Sequence, residues 1–252
     1  MRRLVVSIVL SALVASCGGD SAGPPPARQP TPLDHATTGA ISGEVRFEGA
    51  PPPMQTLTFG GFAECAAAHR GSVPVGDVLV QNGKLQNAFV WLKDGLGDRV
   101  FAIPGEPVVV DQVGCLYQPR VAGVQVGQLV KFTNDDPLLH NVHGTPKASP
   151  PWNVSLARKG AEREIRIAKP EVMISVRCDL HPWMQGWLGA VDHPYFAVTG
   201  PDGGFMLRDV PPGTYTVAAW HERFGVREAR VTLEAKGAAT ASFTFAAESN
   251  AR

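Results

Sequence analysis

The sequence predicts an all-β protein, and three observations predict it. Gly and Pro are frequent, 27 and 22 of 252 residues, as in chains built from short strands and many turns. Short runs of alternating apolar residues recur between clusters of Gly, Pro, Asn and Asp. No long stretch carries the 3.6-residue period of an amphipathic helix. The length has room for one large domain or two small ones. Lys plus Arg equals Asp plus Glu, at 23 each, which argues against nucleic acid as a partner, since that would call for a basic excess.

The first residues read as targeting rather than fold. Arg2 and Arg3 precede an apolar run from Leu4 to Ala15, too short to span a bilayer comfortably. It ends Leu13-Val14-Ala15-Ser16-Cys17, which resembles the lipobox of bacterial lipoproteins. That resemblance implies a signal peptide at residues 1–16, cleavage before Cys17, and a lipid-modified Cys17. Gly18 rather than Asp after it implies the outer membrane. An ordinary secretory signal, with Cys17 an incidental thiol, is the alternative. Both put the mature protein outside the cytosol, on the periplasmic side of a bacterial membrane or secreted, where disulfides persist. Residues 17–38 are rich in Gly, Ser and Pro, with Pro24-Pro25-Pro26 and Pro30-Thr31-Pro32. They bury no core and read as a tether, with a reach of roughly 50–60 Å if largely extended. His35 within it reads as solvated.

Strands follow. Residues 40–47 place Ile41, Val45 and Phe47 as the buried side of a strand that Gly49 and Pro51-Pro52-Pro53 end. A short helical turn is expected at Ala63 to Ala68. Gln86 to Lys93 is a second strand, closed by Asp94-Gly95. Val108 to Cys115, Val121 to Val126 and Leu129 to Asn134 are the next, with a turn at Asp135-Asp136-Pro137 before His140. Ala161 to Ile167 and Val172 to Cys178 complete this part, the second with Val172, Ile174, Val176 and Cys178 on one face. Cys178 therefore stands at the buried end of a strand. Gly186 to Val191 leaves the following loop as a strand.

That loop, Cys178-Asp179-Leu180-His181-Pro182-Trp183-Met184, places a thiol, an imidazole and a thioether within seven residues. A soft metal accepts all three, and two His with one Cys and a weak axial Met is the ligand set of blue-copper centres. The second His is to be sought upstream, at His140 or His143. Three apart on a strand, these two face opposite sides, so one serves and not both; His140 is favoured. Trp183 and Trp187 read as packing or interface residues and His193 as structural.

Cys17 goes to lipid and Cys178 to metal, which leaves Cys65 and Cys115. In an oxidising compartment they are expected to pair. The loop closed is about 50 residues, worth roughly 4 kcal/mol in the chain-entropy model. A second metal site using Cys65 and His69, four apart on a helix, is the alternative.

Together, Gly127-x-x-Val130-x-Phe132-x-Asn134-x-Asp136…His140-Asn141-Val142 and Cys178-x-x-His181-Pro182-x-Met184 resemble the cupredoxins, amicyanin most of all. The resemblance covers about a third of the chain. It implies one type 1 copper held by His140, Cys178 and His181, with Met184 axial. It also implies that Asn141 hydrogen-bonds the cysteine loop, and that the His181 ring edge reaches the surface as an electron port. Further on, Asp202-Gly203-Gly204-Phe205 and Pro211-Pro212-Gly213-Thr214-Tyr215 resemble the carboxypeptidase-regulatory-like, prealbumin-like sandwich. Gly43-Glu44-Val45 and Asn87 to Leu92 resemble its earlier strands. Ala229 to Glu234 and Ala241 to Phe245 are expected to finish its sheet.

The two resemblances imply two Greek-key β-sandwiches, a cupredoxin inserted in or packed against a prealbumin-like sandwich. Residues 39–100 supply the first strands of the prealbumin-like sandwich, 101–193 the copper domain and 194–252 the remaining strands. The implied function is a membrane-tethered electron carrier, not an enzyme. It would serve a c-type cytochrome or a periplasmic oxidoreductase such as a dehydrogenase or terminal reductase. The chain has no Cys-x-x-Cys-His of its own for haem. No His-Glu-x-x-His follows at His221-Glu222, so no zinc peptidase is implied. A copper-delivery protein without electron transfer is one alternative. A carbohydrate- or protein-binding sandwich with a vestigial metal site is another.

Overall fold

The structure is a computed structural model and describes residues 28–247; Cys17 and the signal peptide lie outside them. Among the described residues β1 (Gly39–Glu48) comes first, then one short helix, α1 (Ala63–Ala67), then β2 (Val80–Gln81), β3 (Lys84–Leu85) and β4 (Phe89–Asp94). The middle of the chain is β5 (Val108–Val113), β6 (Leu116–Gln118), β7 (Val121–Gln125), β8 (Leu129–Asn134) and β9 (His140–Gly144). It continues with β10 (Trp152–Leu156), β11 (Ala161–Arg166), β12 (Glu171–Arg177) and β13 (Gln185–Val191). The last part is β14 (Phe196–Val198), β15 (Gly204–Val210), β16 (Gly213–His221), β17 (Gly225–Leu233), β18 (Ala238–Thr240) and β19 (Phe243–Ala246). No helix among the described residues is long and apolar enough to cross a membrane.

Four sheets make two sandwiches. In the outer one, β15-β1-β3-β2, with β18 and β19 also on β1, faces β14-β4-β16-β17. Its strands come from both ends of the chain. Ile41, Val45, Phe47, Leu92, Val217 and Phe245 are among the residues of its core. In the inner one, β10-β9-β12-β13-β7 faces β11-β8-β5-β6, around Val130, Phe132, Val142, Leu156 and Ile174.

Strand β4 shows how the two are joined. Phe89-Val90-Trp91-Leu92 are all buried, and side chains alternate across a strand. Val90 and Leu92 enter the outer core. Phe89 and Trp91 point the other way, into a third apolar cluster with Val121, Val191 and Ala218. A strand buried on both faces has no polar side to offer, which is why its sequence is a continuous apolar run rather than an alternating one. The inner sheet makes room for the aromatic rings with glycine. A Cβ on Gly189 would lie 2.5 Å from the Phe89 ring, and one on Gly123 would lie 2.4 Å from the Phe196 ring. Beside this cluster, the Arg120 guanidinium donates to both carboxylate oxygens of Glu222, at 2.6 and 2.9 Å. Trp187 Nε1–H donates to Glu222 at 3.1 Å.

The tether expectation needs a correction at its C-terminal end. Residues 28–38 lie against the outer sandwich. Arg28 donates to the Asp98 carbonyl, Thr31 N–H to the Val100 carbonyl, and Lys236 N–H to the Thr37 carbonyl. A Pro-rich segment satisfies few of its own backbone groups, so it bonds the loops it passes. His35 is exposed, 4.0 Å from Asp209.

Candidate metal centre

Three connections meet at one end of the inner sandwich. The β8–β9 connection carries Asp136 and leads into His140. Asn134 shapes it: its Oδ1 accepts from Asp136 N–H at 2.9 Å, and its Nδ2 donates to the carbonyls of Leu138 and Leu156. The β5–β6 hairpin turns on Gly114 and Cys115, with φ of 63° and 56°, the two left-handed positions of a type I′ turn. Both turn amides donate to the Asp136 carboxylate at 2.7 Å. The β12–β13 loop carries Cys178, His181 and Met184, and is closed by Met184 N–H donating to the His181 carbonyl at 2.9 Å.

The structure brings His140, Cys178 and His181 together. Their ligand atoms all lie within 4.8 Å of one another, and all three side chains are buried. The two imidazoles face each other through Nδ1 at 3.0 Å, and Cys178 Sγ lies 3.5 Å from His181 Nδ1. Behind His140, Nε2 meets Asp136 Oδ2 at 2.9 Å; a carboxylate on the far nitrogen fixes ring orientation and leaves Nδ1 for a ligand. Met184 is fully buried in the same core. Asn141 sits outside the triad and grips the loop. Its Oδ1 accepts from Asp179 N–H at 2.7 Å, while its Nδ2 donates to Asp179 and to Asn153. His143, on the other face of β9, bonds Asp179 at 2.9 Å and is partly exposed.

The electrostatics ready Cys178 and His181 for a metal and hold a proton on His140. Burial pushes the Cys178 thiol up, but His140 and the amides of Asn141, Leu180 and His181 outweigh it and hold the thiol below its usual range. Burial, and after it the charge of His140, lowers His181, so that imidazole stays neutral. At His140, burial opposes the charge, yet Asp136 and Cys178 push it up to about 9. A thiolate and neutral imidazoles are the forms that bind metal, so a metal at this site displaces the proton that His140 carries. The donors suit a soft transition metal.

One expectation is overturned: His181 does not reach the surface. It is 2% exposed. The segment around α1 covers it, with Phe62 edge-on at 4.7 Å, and Trp183 of its own loop lies at 5.3 Å. Phe59 packs against Trp183 at 5.2 Å. The cover is fastened by the Cys65–Cys115 disulfide, with S–S 2.00 Å, which is the expected pairing. His69 belongs to the same fastening rather than to a metal site: its Nε2 meets the Gly114 carbonyl at 2.7 Å. Trp183 Nε1–H donates to the Cys115 carbonyl at 3.0 Å. Trp187 lies away from the site, at the sandwich junction against Trp220, and His193 bonds the Leu92 carbonyl.

Sequence reasoning also missed Asp136 as a partner of His140. Its position four residues before the histidine, in a turn, was the available signal.

No family model matches the chain, and no curated protein matches it. Solved structures similar to it include a Cu-containing nitrite reductase from Thermus scotoductus SA-01, at 26% identity and TM-score 0.33, over 39% of this chain and 25% of that one. A purple cupredoxin from Nitrosopumilus maritimus is similar at 21% identity and TM-score 0.29, over 33% of this chain and 98% of that one. A reduced amicyanin variant is similar at 21% identity and TM-score 0.31, over 35% and 85%. The chain thus spans a quarter of the length of the nitrite reductase.

Proposed function

We propose that this protein is a type 1 copper protein that carries single electrons. The observation that carries the reading is the convergence of three buried donors, His140, Cys178 and His181, one of them a thiol held below its usual range. Met184, buried beside them on the same loop, would supply a further, weak thioether ligand that tunes potential rather than holds the metal. When bound, copper supplies a centre that takes up and gives back one electron. The chain supplies the rest. Asp136 orients His140, Asn141 pins the Cys178 loop to β9, and the buried surroundings exclude water from the thiolate. The aromatic cover of Phe62 and Trp183, rather than a bare histidine edge, would be the surface that a redox partner meets. The partner is a c-type cytochrome or another periplasmic redox protein, the protein itself is not an enzyme, and lipid on Cys17 holds it at a membrane.

Loading the protein with Cu(II) tests this. One copper per chain and an intense visible thiolate-to-copper absorption are expected, and Cys178→Ala is expected to abolish the absorption. A colourless protein that takes only Cu(I) would replace this reading with copper delivery. A protein that binds neither ion would leave the sandwiches as a binding module.

A further inference from the structure

The Cys65–Cys115 disulfide lies closer to His181 than a staple at the edge of a fold needs to be. Sγ of Cys65, Sγ of Cys115 and a ring nitrogen of His181 all lie within 4.8 Å of one another. All three residues are buried, Cys65 completely. His181 therefore belongs to two donor sets, one with His140 and Cys178 and one with the disulfide sulfurs. While the disulfide is closed, the second set is idle, because the thiolate is the form that ligates. Its two sulfurs are nonetheless already held side by side against an imidazole.

We propose that Cys65 and Cys115, once reduced, form with His181 a second metal site that takes up Cu(I). The class of metal follows from the donors: two thiolates and one imidazole in an apolar pocket suit the soft monovalent ion. The reductant is a dithiol. Its thiolate attacks one sulfur of the pair, and the Cys65–Cys115 bond breaks as a mixed disulfide forms. The second thiol of the reductant then attacks the reductant's own sulfur in that mixed disulfide and releases the protein sulfur first attacked. Two electrons pass to Cys65 and Cys115, the two protons of the dithiol end on them, and the reductant leaves as its own disulfide. Cu(I) binding then replaces those two protons, which go to solvent.

The covering segment is suited to admit the reductant. Helix α1 is five residues long, has no side-chain cap, and buries Cys65 alone. A single turn with so little buried apolar surface belongs to the low-stability end of a fold, where local opening is frequent.

The test uses Cys178→Ser, which removes the thiolate of the blue-copper set and so makes the outcome independent of that reading. The variant is titrated with Cu(I) against the chromophoric chelator bicinchoninate, before and after anaerobic reduction with dithiothreitol and desalting. Expected is no copper taken from the chelator before reduction and one Cu(I) per chain after it. His181→Gln in the same background is expected to return the reduced protein to none. Cys65→Ser with Cys178→Ser is expected to bind none in either state. Failure of the reduced Cys178→Ser protein to take copper overturns the proposal. So does copper uptake that survives His181→Gln, since a loose pair of thiols in a detached segment would not need the imidazole.

Discussion

The two sandwiches treat buried histidine in opposite ways. His140 in the inner one and His221 in the outer one are equally deep, 0% and 1% exposed. His140 meets a carboxylate at 2.9 Å on one nitrogen and a second imidazole at 3.0 Å on the other. His221 accepts a weak bond from Arg223 N–H at 3.3 Å through Nδ1, and its Nε2 has no hydrogen-bond partner among the described residues; its flanks are the Phe224 and Phe245 rings. Burial opposes the charged form in both. At His140 Asp136 and Cys178 overcome it, whereas at His221 burial prevails, aided by Arg120 and Arg223 against Asp77, and pushes the ring down to about 4. Depth alone does not make a histidine a ligand. What its second nitrogen meets decides whether the ring is aimed at a site or packed as a filler.

The largest effect is expected where the two sandwiches meet. Arg120 and Glu222 are both mostly buried, 16% and 7% exposed, and Glu222 also accepts from Trp187. Removing one partner of a buried pair leaves an uncompensated charge and costs about 3–5 kcal/mol. Arg120→Ala is therefore expected to lower the urea-unfolding free energy by that amount. A loss below about 1 kcal/mol, typical of an exposed pair, would show that the junction is wet and that the sandwiches are only loosely coupled.

The histidine contrast predicts a pH dependence next in size. His221 is held below its ordinary value of 6.5, at about 4. The unfolded chain takes up a proton there below pH 6.5, while the folded chain does so only near pH 4. Its contribution is thus intact above 6.5 and is lost as pH falls to about 4. A shift of that size corresponds to about 3 kcal/mol. His221→Phe removes the titrating ring, so the difference between wild type and variant, followed by urea midpoints from pH 7 to pH 4, isolates it. Equal slopes for the two proteins would refute the assignment. At His140 the raised value gives the opposite sign in the metal-free protein. There the stabilisation is present below 6.5 and lost as pH rises through about 9.

The same contrast explains what the sequence could and could not tell. Alternation and turn residues locate most of the strands, because side-chain period follows directly from backbone geometry. The four-residue apolar run of β4 was legible as a strand, but not as the one that joins two cores. The donor spacing of residues 178–184 put a thiol, an imidazole and a thioether in plain view, and cysteine counting reached the disulfide. Strand β10 passed unread because Trp152-Asn153-Val154-Ser155-Leu156 is partly exposed and short. The cover over His181 was not legible at all. Phe62 lies 119 positions from His181, on a segment without periodicity, and only the fold of the β5–β6 turn carries Cys115 to where Cys65 can hold it there. The Arg120–Glu222 pair is hidden for the same reason: ordinary charged residues reveal their pairing only in three dimensions.

The smallest effect is expected at the histidine that competes with His140. His143 is three residues further along β9, and alternation turns it to the opposite face. It bonds Asp179 from outside the loop, and both side chains are more than a third exposed. Solvent screens such a pair, and its loss leaves the Asp179 carboxylate still bonded by Asn141 and Asn153. His143→Ala is therefore expected to keep one copper per chain, with the position of its visible band and the melting temperature unchanged within error. His140→Ala, on the buried face, is expected to lose the band. Absorption spectra of the two variants loaded side by side with Cu(II) decide between them. Loss of the band in His143→Ala with its retention in His140→Ala would reverse the ligand assignment, and with it the role of Asp136 as the carboxylate that orients a ligand.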